Sequence, residues 1–364
     1  MDESLDARLL PLRGQIDEID AKLVALLNER ARVAEKVGDL KRAAGAPVFR
    51  PEREAEVLRR IAALGDGPLT AAGLTNIFRE VMSACRALER PTTVAYLGPA
   101  GTFSESAMQR QFGATVDGLA CVTLDEVFRA TEAGSADFGI VPLENSTEGA
   151  VNRTLDLLLA TPLRLLAEIS VPVHHNLLTQ SGSMDGVTRI CAHSQALAQC
   201  AGWLNQHWPN IERQAVASNA EAARMAAADA TVAAVAGERA ADRYALRAVA
   251  EHIQDDANNR TRFAVLGMQD TQPSTPPGRD KTSLILSVPN KAGAVFHVLE
   301  PLAQHGVSMT RFESRPARVG TWEYYFYVDV EGHAAEPTVA AALQELQALC
   351  AFYKCLGSYP AESR

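Results

Sequence analysis

Between Leu9 and Leu40 apolar residues return at steps of three, four and seven: Leu9, Leu12, Ile16, Ile19, Leu23, Leu26, Val33, Val37 and Leu40. The spacing draws one stripe down a helix and predicts a single helix over residues 6–42. No proline falls between Leu12 and Gly45. At 1.5 Å per residue such a helix is roughly 50 Å long, too long for one small core to cover its stripe. A second copy of the same helix covers it most simply, so an oligomer of at least two chains is expected. Arg30 stands where the pattern calls for a hydrophobe, and a buried cation costs several kcal/mol unless an anion meets it. That anion is either a structural carboxylate or a ligand. Lys41, eleven residues on, returns to within about 20° of Arg30. Arg13 lies about 25 Å earlier along the helix and reaches the same ligand only from an antiparallel twin.

After a turn at Gly45-Ala-Pro47, a second helix is expected from Phe49 and a third over Leu74–Leu88. With Arg13, Asn-Glu-Arg30, Lys41 and Arg-Pro-Glu-Arg53-Glu54, this segment resembles the all-α, three-helix chorismate mutase domain, an intertwined dimer. The resemblance implies that Arg13 of one chain, with Arg30 and Arg53 of the other, binds the two carboxylates of chorismate. Lys41 and Glu89 would hydrogen-bond the ether oxygen and Glu54 the hydroxyl, with Arg50 and Cys85 completing the site. Cys85 stands where a serine is common, Glu89 where glutamine is common, and Arg50 where aspartate occurs. A Claisen rearrangement needs no nucleophile, only a folded dianion and donors where charge grows on oxygen. A glutamate donates only when protonated, so mutase activity is expected to fall as pH rises.

Gly139-Ile-Val-Pro-Leu-Glu-Asn-Ser-Thr-Glu-Gly-Ala-Val151 reads as a strand, a tight polar turn and a helix start. Glu144, Asn145, Ser146 and Thr147 would then face one small molecule, with helix N–H groups behind them for an anion. Asn145 or Ser146 acting only as a helix cap is the competing reading. Strand and helix patterns alternate over Thr93–Glu105, Ala136–Val141, Val151–Leu159, Ala167–Val173, Val187–Ala192, Gln195–Gln206, Val232–Ala236, Glu238–Tyr244 and Phe263–Gly267, an α/β domain in two lobes. The glycine turn after the first strand is not G-x-G-x-x-G, so a dinucleotide site is not indicated.

Four motifs stand in order: Tyr96-Leu-Gly-Pro-Ala-Gly-Thr-Phe-Ser104, Val141-Pro-Leu-Glu-Asn-Ser146, His193-Ser-Gln-Ala-Leu-Ala-Gln-Cys200 and Asn259-Arg-Thr-Arg-Phe263. Together they resemble prephenate dehydratase, whose two lobes enclose a cleft like a type-2 periplasmic binding protein. The resemblance implies that Thr261 is essential, that Glu144, Asn145, Ser146, Gln199, Arg262 and Phe263 line the cleft, and that Thr102, Phe103 and Ser104 close it. It implies no cofactor. Ala192 replaces a serine common before the histidine of the third motif, and Ser194 offers a hydroxyl nearby. His174 and His175, read as strand neighbours, face opposite ways, and no shared metal is expected.

Thr271–Asp280 reads as a proline-rich linker. Beyond it the order β-α-β-β-α-β is ferredoxin-like. With Asn290-Lys-Ala292-Gly293-Ala294-Val295 and Glu313-Ser314-Arg315-Pro316, it resembles the ACT regulatory domain. The resemblance implies that phenylalanine binds between two such domains at those turns. A dimerisation module without ligand is the alternative.

The domains expected are 1–91, 92–270 and 281–364, joined by the linker 271–280. Their order resembles the bifunctional chorismate mutase/prephenate dehydratase family and implies conversion of chorismate to prephenate and phenylpyruvate, with feedback inhibition by phenylalanine. Two alternatives stay open: a dehydratase whose mutase segment is only a dimerisation arm, and a non-catalytic solute-binding or amino-acid-sensing protein. A formal net charge of −9 opposes nucleic acid as a partner. The acidic first residues, the lack of a long apolar run and six scattered cysteines point to a cytoplasmic protein with reduced thiols and no membrane span.

Overall fold

The computed structural model describes residues 5–289, 291–316 and 324–362. It divides into two compact units. The first takes in the chain up to Arg50, Leu58–Thr92 and Phe112–Val116; the second takes in Pro51–Val57, Thr93–Gln111 and the chain from Asp117.

Helix α1 runs Leu5–Ala43, as the apolar period predicts, followed by α2 (Pro51–Leu64) and α3 (Ala71–Glu89). Pro51 opens α2, where its missing N–H has no helical partner to lose. Thr70 caps α3 by accepting from Gly73 N. In the first unit α1 packs on α3, and Gly38 is the only buried residue of α1. The stripe itself lies in water: Ile16, Leu23, Leu26, Val33 and Leu40 are all exposed, Leu40 at 72%. Phe49 and Phe112 pack ring to ring at 5.0 Å beneath the Arg86 guanidinium, which lies 5.4 and 5.8 Å from their centroids.

The second unit begins with β1 (Thr93–Leu97), α4 (Phe103–Phe112), β2 (Asp117–Cys121), α5 (Leu124–Glu132), β3 (Phe138–Asn145), β4 (Gly149–Ala150), α6 (Asn152–Ala160) and β5 (Arg164–Pro172). The chain then builds β6 (Asn176–Thr179), β7 (Arg189–Ala192), α7 (Ser194–Gln199), α8 (Ala201–His207), β8 (Glu212–Ala215), α9 (Asn219–Ala228), β9 (Val232–Ala236), α10 (Glu238–Tyr244) and β10 (Arg247–Ala250). It returns to the first sheet with β11 (Arg260–Gly267). The sheets are β2-β1-β3-β11-β5, with β4 on β3, and β10-β6-β9-β7-β8. Between them the chain crosses twice, over residues 173–175 and 251–259. The crossings pair with each other: Val173 N donates to Asn259 O at 2.8 Å and Ile253 N to His175 O at 2.8 Å.

Two expectations change here. Strand β3 does not stop at Pro142 but continues to Asn145, and a hairpin through β4 precedes α6. Pro142 is tolerated because β3 is bulged at this point, its extra residue Leu143 lying between Pro142 and Glu144, which pair with the consecutive Phe263 and Arg262 of β11. No helix therefore starts behind Glu144–Thr147. The stretch 195–206 is likewise two helices, broken at Cys200.

The C-terminal part runs β12 (Asp280–Ser287), α11 (Ala294–Gln304), β13 (Met309–Pro316), β14 (Tyr324–Glu331), α12 (Pro337–Leu349) and β15 (Phe352–Pro360), with strand order β13-β14-β12-β15. Residues 317–323, between the bounds given for β13 and β14, lie outside the described residues. The stretch expected as a linker is pinned, since Ser274 donates from N and Oγ to Asp280 at 2.7 and 2.6 Å. Ile285, Tyr327, Leu356 and Tyr359 join Leu155, Leu158, Leu165 and Leu266 in one core. Lys354 Nζ meets the carbonyls of Leu158, Leu159 and Thr161, satisfying the end of α6. Gly357 (φ 144°) lies so close to β5 that a Cβ would come 2.4 Å from Leu165 O, which excludes any side chain there.

Candidate functional sites

On the first unit, the packing of α1 on α3 sets four of the expected mutase residues in two pairs. Arg30 Nη1 lies 2.9 Å from Cys85 Sγ, and Lys41 Nζ donates to Glu89 Oε2 at 3.1 Å and to Val48 O at 3.0 Å. The helices meet most closely at Gly38, where a Cβ would stand 2.8 Å from Glu89 Cγ. Arg13 is exposed on the same helix, roughly 25 Å from Arg30 at 1.5 Å per residue. Arg50 precedes α2; Glu54, in its first turn, and Arg53, which pairs with Glu56 at 2.7 Å, fall in the stretch Pro51–Val57 that belongs to the second unit.

On the second unit, a cavity of about 700 Å³ lies where both sheets contribute walls. Thr102, Phe103, Ser104, Asn145, Gln199 and Thr261 line it. Glu144, Ser146, Arg262 and Phe263 do not. Successive residues of a strand face opposite ways, so with Thr261 inward Arg262 is turned to the other side of the sheet. Phe263 is core at 2% exposure, while Ser146 seals Arg260 by accepting from its N at 2.9 Å. Ala192 is fully buried, and Ser194 does not reach the cavity. The lining also includes the starts of α4, α7, α9 and α10, together with Arg110 and Arg239 and two carboxylates, Glu238 and Asp242. Helix starts present unpaired N–H groups, so these walls suit an anion. They replace the single helix start expected after Thr147.

At the floor the side chains form one directed network. Asn145 Oδ1 accepts from Thr147 N at 3.0 Å, Glu148 N at 3.1 Å and Thr147 Oγ1 at 2.6 Å. Its Nδ2 therefore faces Thr261 Oγ1 and Asn259 Oδ1, each at 2.9 Å. Thr261 accepts from Asn145, which leaves its own proton to donate into the cavity. Asn259 Nδ2 donates to Gln199 Oε1 at 3.1 Å, and Gln199 Nε2 donates to Thr147 Oγ1 at 3.2 Å. His174 and His175 both line the cavity, because residues 173–175 are a crossing and not a strand. Burial holds both imidazoles below the ordinary histidine range, aided at His174 by His252 and Arg260. Among the described residues no group of His, Cys, Asp and Glu is placed to hold a metal ion, and no helix is long and apolar enough to cross a membrane.

Arg262 forms a second polar centre. Its Nη1 meets Glu168 at 3.1 Å and Asp329 at 2.9 Å, and its Nη2 meets Glu144 at 3.2 Å. Lys281 Nζ shares Glu168 at 2.6 Å, and Arg311 Nε shares Glu144 at 3.3 Å. Arg311 also pairs with Glu313, and Arg315 holds Asn152 and, at 2.8 Å, Asp156. Thus β13, the strand of Glu313-Ser314-Arg315-Pro316, is tied to β3 and α6. Ala292 and Gly293 (φ 78°) form the turn into α11, whose first residues are Ala294 and Val295; Asn290 lies outside the described residues.

Three family patterns match in order: chorismate mutase type II over residues 12–90, prephenate dehydratase over 94–271 and the ACT domain over 282–348. A bifunctional chorismate mutase/prephenate dehydratase of Neisseria gonorrhoeae is 50% identical over 363 residues, 99% of either chain. The chain belongs to the bifunctional chorismate mutase/prephenate dehydratase family. Among solved structures, an L-Phe complex of prephenate dehydratase from Arthrobacter aurescens is similar with a TM-score of 0.68 at 34% identity, covering 75% of this chain and 93% of that one. A quorum quenching acylase is similar with a TM-score of 0.67 at 31% identity, over 74% of this chain and 98% of the other. Fold alone therefore does not name the reaction, which has to be argued from the site. In a member of this bifunctional family, the places of His175 and Asn259 in the cavity network, and the helix starts at Ser218 and Gly237, were not read from the sequence, since no motif marks a role that comes from where two sheets meet.

Proposed function

We infer that the chain rearranges chorismate to prephenate and converts prephenate to phenylpyruvate, as a phenylalanine-inhibited homodimer of phenylalanine biosynthesis working without cofactor in the cytoplasm. The observation that carries the second reaction is the Thr261 hydroxyl, forced by Asn145 to offer its proton to an anion-suited cavity. Prephenate is a dianion that loses carbon dioxide and a ring hydroxyl, and the new aromatic ring supplies the driving force. The protein has to hold the carboxylates and donate to the departing hydroxyl. Helix starts and arginines suit the first task and Thr261 the second. Two lobes closing over the cavity, as in periplasmic binding proteins, would exclude water. Given prephenate alone, the purified chain is expected to release carbon dioxide and phenylpyruvate; unchanged prephenate would reject this half of the reading.

For the first reaction, Arg30 and Lys41 offer positive charge along one groove, and the exposed stripe of α1 favours a second copy that would bring its Arg13. Burying one Leu or Ile is worth about 1.5–3 kcal/mol, so a stripe of this length in water strongly favours pairing. Glu89 accepts from Lys41 here; a carboxylate cannot also donate to the ether oxygen, whereas its protonated form can. Glu89→Gln, always a donor, is expected to turn over chorismate at least as fast as wild type at neutral pH; a slower variant would refute the role.

Regulation would run through β13. The strand expected to hold phenylalanine grips Glu144, which lies beside Asn145 and also binds Arg262, the neighbour of Thr261. In Arg311→Ala, phenylalanine is expected still to bind by calorimetry, while half-inhibition of the dehydratase needs about 5-fold or more phenylalanine. Unaltered inhibition would place the coupling elsewhere.

A further inference from the structure

His175 sits on the first crossing between the two sheets, 2% exposed, with Phe103 edge-on at 5.7 Å. Its Nε2 is 3.1 Å from Gln199 Oε1, and its Nδ1 is buried with no hydrogen-bond partner among the described residues. The proton on this ring follows from the network. Two backbone N–H groups fix Asn145, Asn145 fixes Asn259, and Asn259 Nδ2 fixes Gln199 with Oε1 toward the histidine. An amide oxygen only accepts, so Nε2 carries the proton and Nδ1 is bare.

We propose that His175 is a positioning residue for the dehydratase: its Nε2–H holds the Gln199 amide that ties α7, beside one sheet, to Thr147 beside the other and to Asn259 on the second crossing, and so keeps Asn145 and Thr261 aligned. The inference rests on Thr261 being the donor to the leaving hydroxyl. Gln199 is the joint. Its oxygen takes two donors, from His175 and Asn259, and its nitrogen reaches Thr147, which in turn donates to Asn145. Without the imidazole, Gln199 keeps one restraint on its oxygen and a hole beside Phe103. The His175 main chain is itself fixed by Gln254, whose Oε1 accepts from His175 N at 2.9 Å while its Nε2 meets His174 Nδ1 at 3.1 Å. The histidine thus joins both crossings to the cavity floor.

The test compares His175→Phe, His175→Asn and His175→Gln in the full chain, with mutase activity as an internal control. Gln places an N–H near the position of Nε2, Asn near that of Nδ1, and Phe places none. Dehydratase kcat is expected to fall about 10²-fold in Phe and Asn, with KM for prephenate little changed. Gln should recover about tenfold of that loss. Equal kcat in Gln and Asn, or a loss confined to KM, would overturn the proposal. Nitrogen-15 spectra of histidine-labelled wild type give a second reading that needs no variant: Nε2 protonated and Nδ1 bare is expected, and the opposite tautomer overturns it. Thr261→Val separates the two levels. Turnover surviving in Thr261→Val would refute the donor role of Thr261 on which the inference rests; its loss, with His175→Phe fully active, would refute only the role of His175.

Discussion

Thr261→Val is expected to consume chorismate at the wild-type rate and to accumulate prephenate, with phenylpyruvate formation reduced by about 10²–10³-fold, the usual cost of one donor aimed at developing charge. Valine matches threonine in shape, so the strand position is kept while the proton is lost. The loss should appear in kcat, because the helix starts and arginines that suit the carboxylates are untouched. Thr261→Ser restores the hydroxyl and is expected to recover most of the rate. If Thr261→Val kept near-normal phenylpyruvate formation, the direction of the Asn145–Thr261 bond would have no bearing on catalysis.

The largest stability effect is expected at Arg262→Ala. Its guanidinium meets three carboxylates, and the side chains of Glu168 and Asp329 are both only 5% exposed. Lys281 and Arg311 still serve Glu168 and Glu144 in the variant, but Asp329 keeps only hydrogen bonds such as that from Ser283 Oγ at 2.6 Å. Removing one partner of a buried pair costs about 3–5 kcal/mol. Burial alone would raise the Asp329 carboxyl, yet Arg262 and Ser283 outweigh it and hold it below the usual carboxylate range. A depressed carboxylate stabilises the fold above its unfolded value, about 3.9, and that contribution disappears as pH falls through the folded value. The gap in thermal midpoint between wild type and variant is therefore expected to be widest near neutral pH and to narrow below about pH 4. A gap independent of pH would mean that lost packing, not an orphaned charge, sets the cost.

How much of this was legible in the sequence depends on the range of the interaction. The α1 period follows from local chemistry and matches the structure closely, with residues 6–42 expected and Leu5–Ala43 found. Thr102, Phe103, Ser104, Asn145, Gln199 and Thr261 were found because motifs mark them. The same motifs also drew in Arg262 and Phe263, since a motif does not say which way each residue of a strand faces: Arg262 turns to Glu144, Glu168 and Asp329, and Phe263 is buried in the core. The helix N–H groups expected directly behind Glu144–Thr147 are displaced for a related reason: the expected helix forms at Asn152–Ala160, but a hairpin through β4 comes before it. Asn145 caps a hairpin turn with the same Asx chemistry that caps helices, and the two are alike until the next strand is placed. His175 was read as a strand residue, whereas chain crossing between sheets places it on the cavity.

The most direct test of the whole account gives chorismate to the purified chain and follows chorismate, prephenate and phenylpyruvate separately, with and without phenylalanine. The account predicts chorismate loss with phenylpyruvate appearing, and suppression of phenylpyruvate by phenylalanine. Chorismate that persists while added prephenate reacts would make the helical segment a dimerisation arm, and prephenate that accumulates without phenylpyruvate would contradict the role given to the cavity around Thr261.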